Sequence, residues 1–329
     1  MSLKINIFFR KRQPQYNSIE ELFLGLKPIL SKYIEVDTAE VPFYGGHPKA
    51  ILKNIKWART RKSTVNHITG DIHYVALAFG KSSVLTIHDI KSALKGNLIK
   101  QIYVKLFWFW LPALFVKRIT VISNFTKLEL SRIIPFAKHK IRVVYNPVNP
   151  KLEANSYEFN HNKPKLLFVG TKANKNLERS LEAIKDLTCE AIIVGPISED
   201  QQELLERLEI EYYNHNDLTF DEIIECYKAS DLVCFASTYE GFGMPIIEAQ
   251  AIGRPVITSN IGAMVEISNE STSLVNPYDK DAIKQAVEKI CNDGNYREAL
   301  IKKGFANIKR FYPEQIAKAY ISVYKEVAP

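Results

Sequence analysis

Short apolar runs of four to eight residues alternate with stretches of helical period along the whole chain. In the first half these runs are "KINIFF", "STVNHI", "SSVLTIHD", "RITVIS" and "KIRVVYN"; in the second they are "KLLFVG", "EAIIVG", "IEYY", "LVCFAS" and "PVITS". Their β-branched content without strict alternation predicts strands covered on both faces. Between them, "SIEELFLGLKPIL" and "NLERSLEAIKDL" carry the 3.6-residue period of helices packed on a sheet. Strand, helix, strand in regular succession predicts parallel sheets of βαβ units. Two such series imply an α/β chain with two doubly wound, Rossmann-like domains facing across a cleft, where ligands sit beyond the C-terminal strand ends. The hinge is expected in "YNPVNPKLEANSYEFNHNKPK", residues 145–165, which holds three prolines and five asparagines. The expected division is 1–155, then 156–311, with a last helix over 312–329 packing back on the first domain.

Composition narrows the class. The chain has 329 residues, 46% hydrophobic and 24% charged, an ordinary globular mix of two-domain length. Its N-terminal stretch offers a five-residue apolar patch and no signal-peptide pattern, so a buried first strand is expected. The four cysteines form no CxxC pair and no zinc pattern; buried free thiols in a reducing compartment fit them. Charge is divided unevenly. Residues 1–150 hold 24 Lys+Arg against 8 Asp+Glu, +16, and residues 151–329 hold 20 against 28, −8. The two halves should therefore meet different partners.

The chemistry concentrates in "YEGFGMPIIEAQAIGRPV", residues 239–256, a loop and helix that follow the run "LVCFAS". Gly241 and Gly243 allow positive φ and a close approach of ligand to backbone. Pro245 suits the first helical turn, and the free amides there make an anion site. Glu248, one turn in, can reach a ribose diol, and Glu240 can accept hydrogen bonds from hydroxyls held against the glycines. Phosphate, ribose and a polyol in a row describe a nucleotide-sugar.

This stretch resembles the Glu-x7-Glu signature region of retaining glycosyltransferase family 4, whose members have the GT-B fold. "LLFVGTKANKNLERSLEAI", "YKASDLVCFAS" and "SLVNPYDKDAIKQAV" are similar to the segments around that signature, and "VNHITGDIHY", "VLTIHDI", "ITVISNFTKLEL" and "IRVVYNPV" follow the family's N-terminal order. The resemblance implies that Glu248 binds the nucleotide ribose, Glu240 a donor-sugar hydroxyl, and Lys175 the diphosphate. The backbone of Gly241, Phe242, Gly243 and Met244 would line the donor. Where the family often has Gly-Arg, this chain has Gly170-Thr171, and Lys172 is the candidate replacement cation. The family's Gly-Gly first loop is replaced by "RKRQPQYNS", whose Arg10 or Arg12 would meet either phosphate or acceptor. No Asp-x-Asp stands near a strand end, so no metal and no cofactor are expected. The family's proposed chemistry is front-face transfer with retention, lysine and helix amides neutralising the leaving group.

Histidines at strand ends complete the candidate set: His73 beside Asp71 as first choice for the reacting sugar, His88 with Asp89 second, and His67 third. The expected function is sugar transfer from a nucleotide-diphosphate sugar to a hydroxyl acceptor in cell-surface polysaccharide or glycolipid assembly, in the cytoplasm. The basic half and "LFWFWLPALFV", residues 106–116 and too short to span a bilayer, suggest peripheral contact with an anionic membrane and a sugar or lipid-linked acceptor. The alternatives weighed are another GT-B enzyme such as an epimerase or phosphorylase, a basic nucleic-acid-binding protein, and an inactive binding subunit. No nucleic-acid partner is expected, since the aromatics cluster in an apolar run instead of interleaving with cations.

Overall fold

The computed structural model describes residues 3–12, 18–88, 90 and 96–329. The chain divides into two compact units, 1–147 with 313–329, and 148–312. Each holds one parallel six-stranded sheet.

The first sheet contains β1 (Lys4–Phe9), β2 (Glu35–Glu40), β3 (Val65–Ile68), β4 (Ser83–Ile87), β5 (Arg118–Val121) and β6 (Ile141–Val143), in the order β2-β1-β3-β4-β5-β6. The pleat of β1 shows why its run is apolar throughout: Ile5, Ile7 and Phe9 enter one core while Phe8 enters the other. On the Ile5 side lie helices Ser18–Leu30 and Pro313–Val327, the latter returning from the chain's end. On the Phe8 side lie helix Pro48–Arg59, the 3₁₀ segment His73–Ala78 and the helical segment 98–115.

The second sheet contains β7 (Lys165–Val169), β8 (Glu190–Val194), β9 (Glu211–His215), β10 (Leu232–Phe235), β11 (Val256–Ser259) and β12 (Ser273–Val275), in the order β12-β11-β10-β7-β8-β9. Helix Met244–Ile252 leaves β10 and is buried almost all round. Arg254 follows it, 1% exposed. Its guanidinium donates to the carbonyls of Ser230 at 2.7 Å, Lys228 at 2.8 Å and Asn155 at 3.1 Å, over the Tyr157 ring. The arginine of the signature stretch is thus a clamp between two backbone segments, at 155 and at 228–230.

Two sequence expectations are corrected here. β2 and β12 were not among the expected strands; both are sheet edges, "EVDTAE" is polar at four of six positions, and "SLV" is only three residues long. The apolar run over 106–116 belongs to a longer helical segment, Leu98–Phe115, of 18 residues with mean hydropathy 1.3. Its aromatic middle, Lys105–Trp110, is a π-helical turn directed into the unit. Phe109 is buried, Trp108 Nε1 donates to Asp71 O at 2.7 Å, and Trp110 Nε1 donates to Ile133 O at 3.0 Å. The tryptophans are fastened to backbone carbonyls within the first unit.

Candidate functional site

Strand order locates the site in the second unit. From β7 the chain runs outward through β8 and β9, then returns to the other flank of β7 with β10. The loops leaving β7 and β10 therefore diverge from adjacent strands, the switch point where doubly wound sheets take ligands. Here those loops are stitched together. Thr238 N donates to Asn174 O at 2.8 Å, Asn176 Nδ2 to Ala236 O at 3.0 Å, and Asn174 Nδ2 to Tyr239 O at 3.0 Å.

Lys175 and Glu240 meet across this junction. Lys175 Nζ lies 2.8 Å from Glu240 Oε1 and 4.8 Å from the centre of the Phe235 ring. Asn174 Nδ2 donates to the same carboxylate oxygen at 3.2 Å. Gly170, at φ +90, makes room for the lysine stem, since a Cβ there would sit 3.0 Å from Lys175 Cε. Thr171 is buried and its hydroxyl donates to the Pro196 carbonyl; its neighbour Lys172 is exposed.

Past Glu240 the backbone of Gly241, Phe242 and Gly243 leads into helix Met244–Ile252. Gly243 caps that helix at φ 104, without any side-chain cap bond. A Cβ there would meet Ile246 Cδ1 at 3.0 Å. Phe242 is buried against Phe311 at 5.7 Å, and Met244 is half-buried. Glu248 lies one turn into the helix, buried, and accepts a 2.7 Å hydrogen bond from Tyr227 OH. Burial raises its carboxyl above the usual range, opposed by the Tyr227 hydrogen bond and by Lys175. Tyr227 itself is pushed well above its ordinary value by burial and by Glu248, so it stays a neutral donor. Asn174 and Tyr227 were not among the sequence candidates; "ANKN" and "CYKASD" carried them beside residues that were.

The first unit has its own switch point, between β1 and β3. Arg10 follows β1 and Asp71 follows β3, and Arg10 Nη1 lies 3.0 Å from Asp71 Oδ2. Arg10 Nε also binds the buried Glu20 at 2.9 Å. Arg12 is exposed, 3.6 Å from Glu40. Arg10 and Asp71 line a pocket of about 330 Å³ with Phe43, Tyr44, Gly45 and Gly46, a volume at the lower end for small-ligand sites. The glycine pair of "FYGG", after β2, was not among the sequence candidates.

The histidines separate clearly. His67 is wholly buried between Tyr324 OH at 2.8 Å and Thr86 Oγ1 at 2.6 Å, and burial pushes it down to about 3. It is structural. His73 Nδ1–H donates to Trp108 O at 2.7 Å, a carbonyl whose i+4 neighbour, Pro112, has no amide to offer. That leaves the imidazole lone pair on Nε2, and burial lowers its basicity. His88 is pushed down to about 4 by burial, then by His73 and Arg10 nearby, and its Nε2 has no hydrogen-bond partner among the described residues. Asp89 lies outside the described residues. The structure therefore brings Arg10, Asp71, His73 and His88 to one end of the first sheet, and Lys175, Glu240 and Glu248 to one end of the second.

Two family models match the chain, one in each half. Residues 151–306 match the family model "Glycosyl transferases group 1", and residues 30–152 match "Glycosyltransferase Family 4". The first match spans just under half of the chain and the second over a third of it. The chain is similar to an uncharacterized glycosyltransferase of Methanocaldococcus jannaschii, 27% identical over 63% of this chain and 60% of that one. It is also similar to the O-antigen chain mannosyltransferase B of Escherichia coli, 34% identical over 30% of this chain and 26% of that protein. The chain thus spans less than two thirds of the length of both relatives. Anabaena HepE, solved in complex with UDP and glucose, superposes with a TM-score of 0.77 at 17% identity, covering 98% of this chain and 99% of that one.

Proposed function

We propose that the protein is a retaining, hexosyltransferase-type enzyme that moves a sugar from a nucleotide-diphosphate sugar to a hydroxyl acceptor in surface polysaccharide or glycolipid assembly, at the cytoplasmic side of a membrane. The observation that carries this is the Lys175–Glu240 pair, 2.8 Å apart at the switch point, directly before a glycine-capped helix N-terminus. The O-antigen mannosyltransferase and the UDP complex of HepE support the class of donor and product. Lys175, Lys172 and the first amides of helix Met244–Ile252 meet the diphosphate, and Glu248 accepts from the ribose hydroxyls. Glu240 is held by Lys175 and Asn174 and accepts a hydroxyl of the donor sugar.

Chemistry then follows from electrostatics in a preorganised site. The bond from the sugar's anomeric carbon to phosphate oxygen breaks, and negative charge grows on that oxygen beside Lys175. The acceptor hydroxyl attacks from the same face, and its proton passes to the departing phosphate. Thermal-shift screening of UDP- and GDP-sugars, followed by NMR of the product's anomeric centre, tests this. Stabilisation by at least one donor and a retained configuration are expected. An inverted product sinks the retaining mechanism, and no stabilisation by any nucleotide-sugar sinks the transfer reading.

A further inference from the structure

Once the tryptophans are fastened inward, a different set of apolar side chains is left outside. Leu98, Ile99 and Ile102 open the helical segment 98–115 and are 71%, 80% and 50% exposed. Ile99 stands one turn before Tyr103 on the same side of the helix, and Tyr103 OH donates to Gly46 O at 2.7 Å. The stripe therefore borders the loop 43–46 that lines the Arg10–Asp71 pocket. That loop exposes Phe43 and Tyr44, with Lys53 Nζ 4.9 Å from the centre of the Phe43 ring.

Charge decides what such a surface fits. Helices Pro48–Arg59 and Leu98–Phe115 carry Lys49, Lys53, Lys56, Arg59, Lys100 and Lys105 and no acid. From Val41 to Leu128 there are 14 Lys+Arg against Asp71 and Asp89 alone. A second copy would bring like charge to like charge. A nucleic acid would use the cations and gain nothing from isoleucines this exposed. An anionic lipid surface uses both: apolar side chains enter the acyl boundary while lysines meet headgroups. Spanning is not required, because Phe109 and Ala113 in the same segment belong to the core.

We propose that the first unit docks on an anionic membrane through Leu98, Ile99, Ile102 and the adjoining loop 43–46, with Lys49, Lys53 and Lys100 on the headgroups. Docking brings the Arg10–Asp71 pocket to the headgroup layer, where it takes a lipid-linked acceptor; this last clause rests on the transfer reading, the docking does not. Sedimentation of the full chain with phosphatidylcholine vesicles, with and without phosphatidylglycerol, is the test. Binding should need phosphatidylglycerol and fall about tenfold or more in high salt, where charge is screened. The double variants Ile99→Asp/Ile102→Asp and Lys49→Glu/Lys53→Glu should each bind at least about tenfold less, with circular dichroism and thermal midpoint near those of the parent. Absent binding at low salt, equal binding to neutral vesicles, or a folded Ile99→Asp/Ile102→Asp variant that binds like the parent would each overturn it. So would RNA retardation in a gel without vesicle binding. Stabilisation by nucleotide-sugars, read on the same samples, reports the transfer reading separately.

Discussion

Glu240, Glu248 and Lys175 stand out in the sequence because glycines, a proline and a helix start surround them. Their contacts do not stand out, because those depend on which strands are neighbours. Lys175 and Glu240 are 65 positions apart, and only the order placing β10 against β7 joins them. Likewise nothing local announces that Glu248 is buried against Tyr227. That burial carries a pH signature. The Glu248 carboxyl is raised in the folded protein, so the folded state holds its proton more tightly than the unfolded chain. Its contribution to stability is fully present below the ordinary carboxyl range and is lost as pH rises through the raised value. Glu248→Gln removes that loss. The variant should therefore melt close to the parent at pH 4 and above it at pH 8, while its nucleotide affinity falls about tenfold to a hundredfold, the worth of a charged hydrogen bond. Melting curves at both pH values and calorimetry with UDP check this; a variant no more stable at pH 8 would contradict the burial argument.

Strands were legible where the chain writes them as apolar runs. Ten announce themselves so, the edges β6 and β9 among them, whereas β2, polar at most positions, and β12, three residues long, do not. Helix Leu98–Val104 also escaped notice, because "LIKQIYV" shows no one-sided pattern when its outer side chains are apolar too. His67 drew attention as a strand-end histidine, yet its partner arrives from 257 positions away: Tyr324, on helix Pro313–Val327. That pair ties the final helix to β3, and Thr86 ties it to β4. Its imidazole is pushed down to about 3, so the folded state keeps it neutral while the unfolded chain protonates below about 6.5. Stability is then present above that value and is lost as pH falls toward 3. The slope from this one group approaches about 1.4 kcal/mol per pH unit. His67→Gln should flatten the loss by about one proton. Denaturant unfolding at a series of pH values between 6.5 and 4 measures it, and an unchanged slope would return the acid sensitivity to His88 or the carboxylates.

At the scale of the whole molecule, the charge imbalance runs against the proposed donor. Residues 151–329 are net −8, the wrong sign for holding a nucleotide diphosphate. Screening resolves this. Charges beyond about 8–10 Å in physiological salt contribute little, so the local set decides: Lys175 fixed by Glu240, Lys172 beside it, and the amides of a helix start. If those groups alone neutralise the leaving phosphate, two results follow together. Lys175→Ala should lower kcat about a hundredfold, as loss of one preorganised electrostatic contact does, with a smaller effect on donor KM because the charge develops in the transition state. Turnover should also persist in EDTA, since no divalent ion shares the task. Steady-state kinetics of parent and variant, each with EDTA and with added magnesium or manganese, separates the possibilities. A parent enzyme silenced by EDTA and restored by metal assigns the diphosphate to a cation, and a Lys175→Ala variant of undiminished kcat removes the lysine from the leaving group altogether.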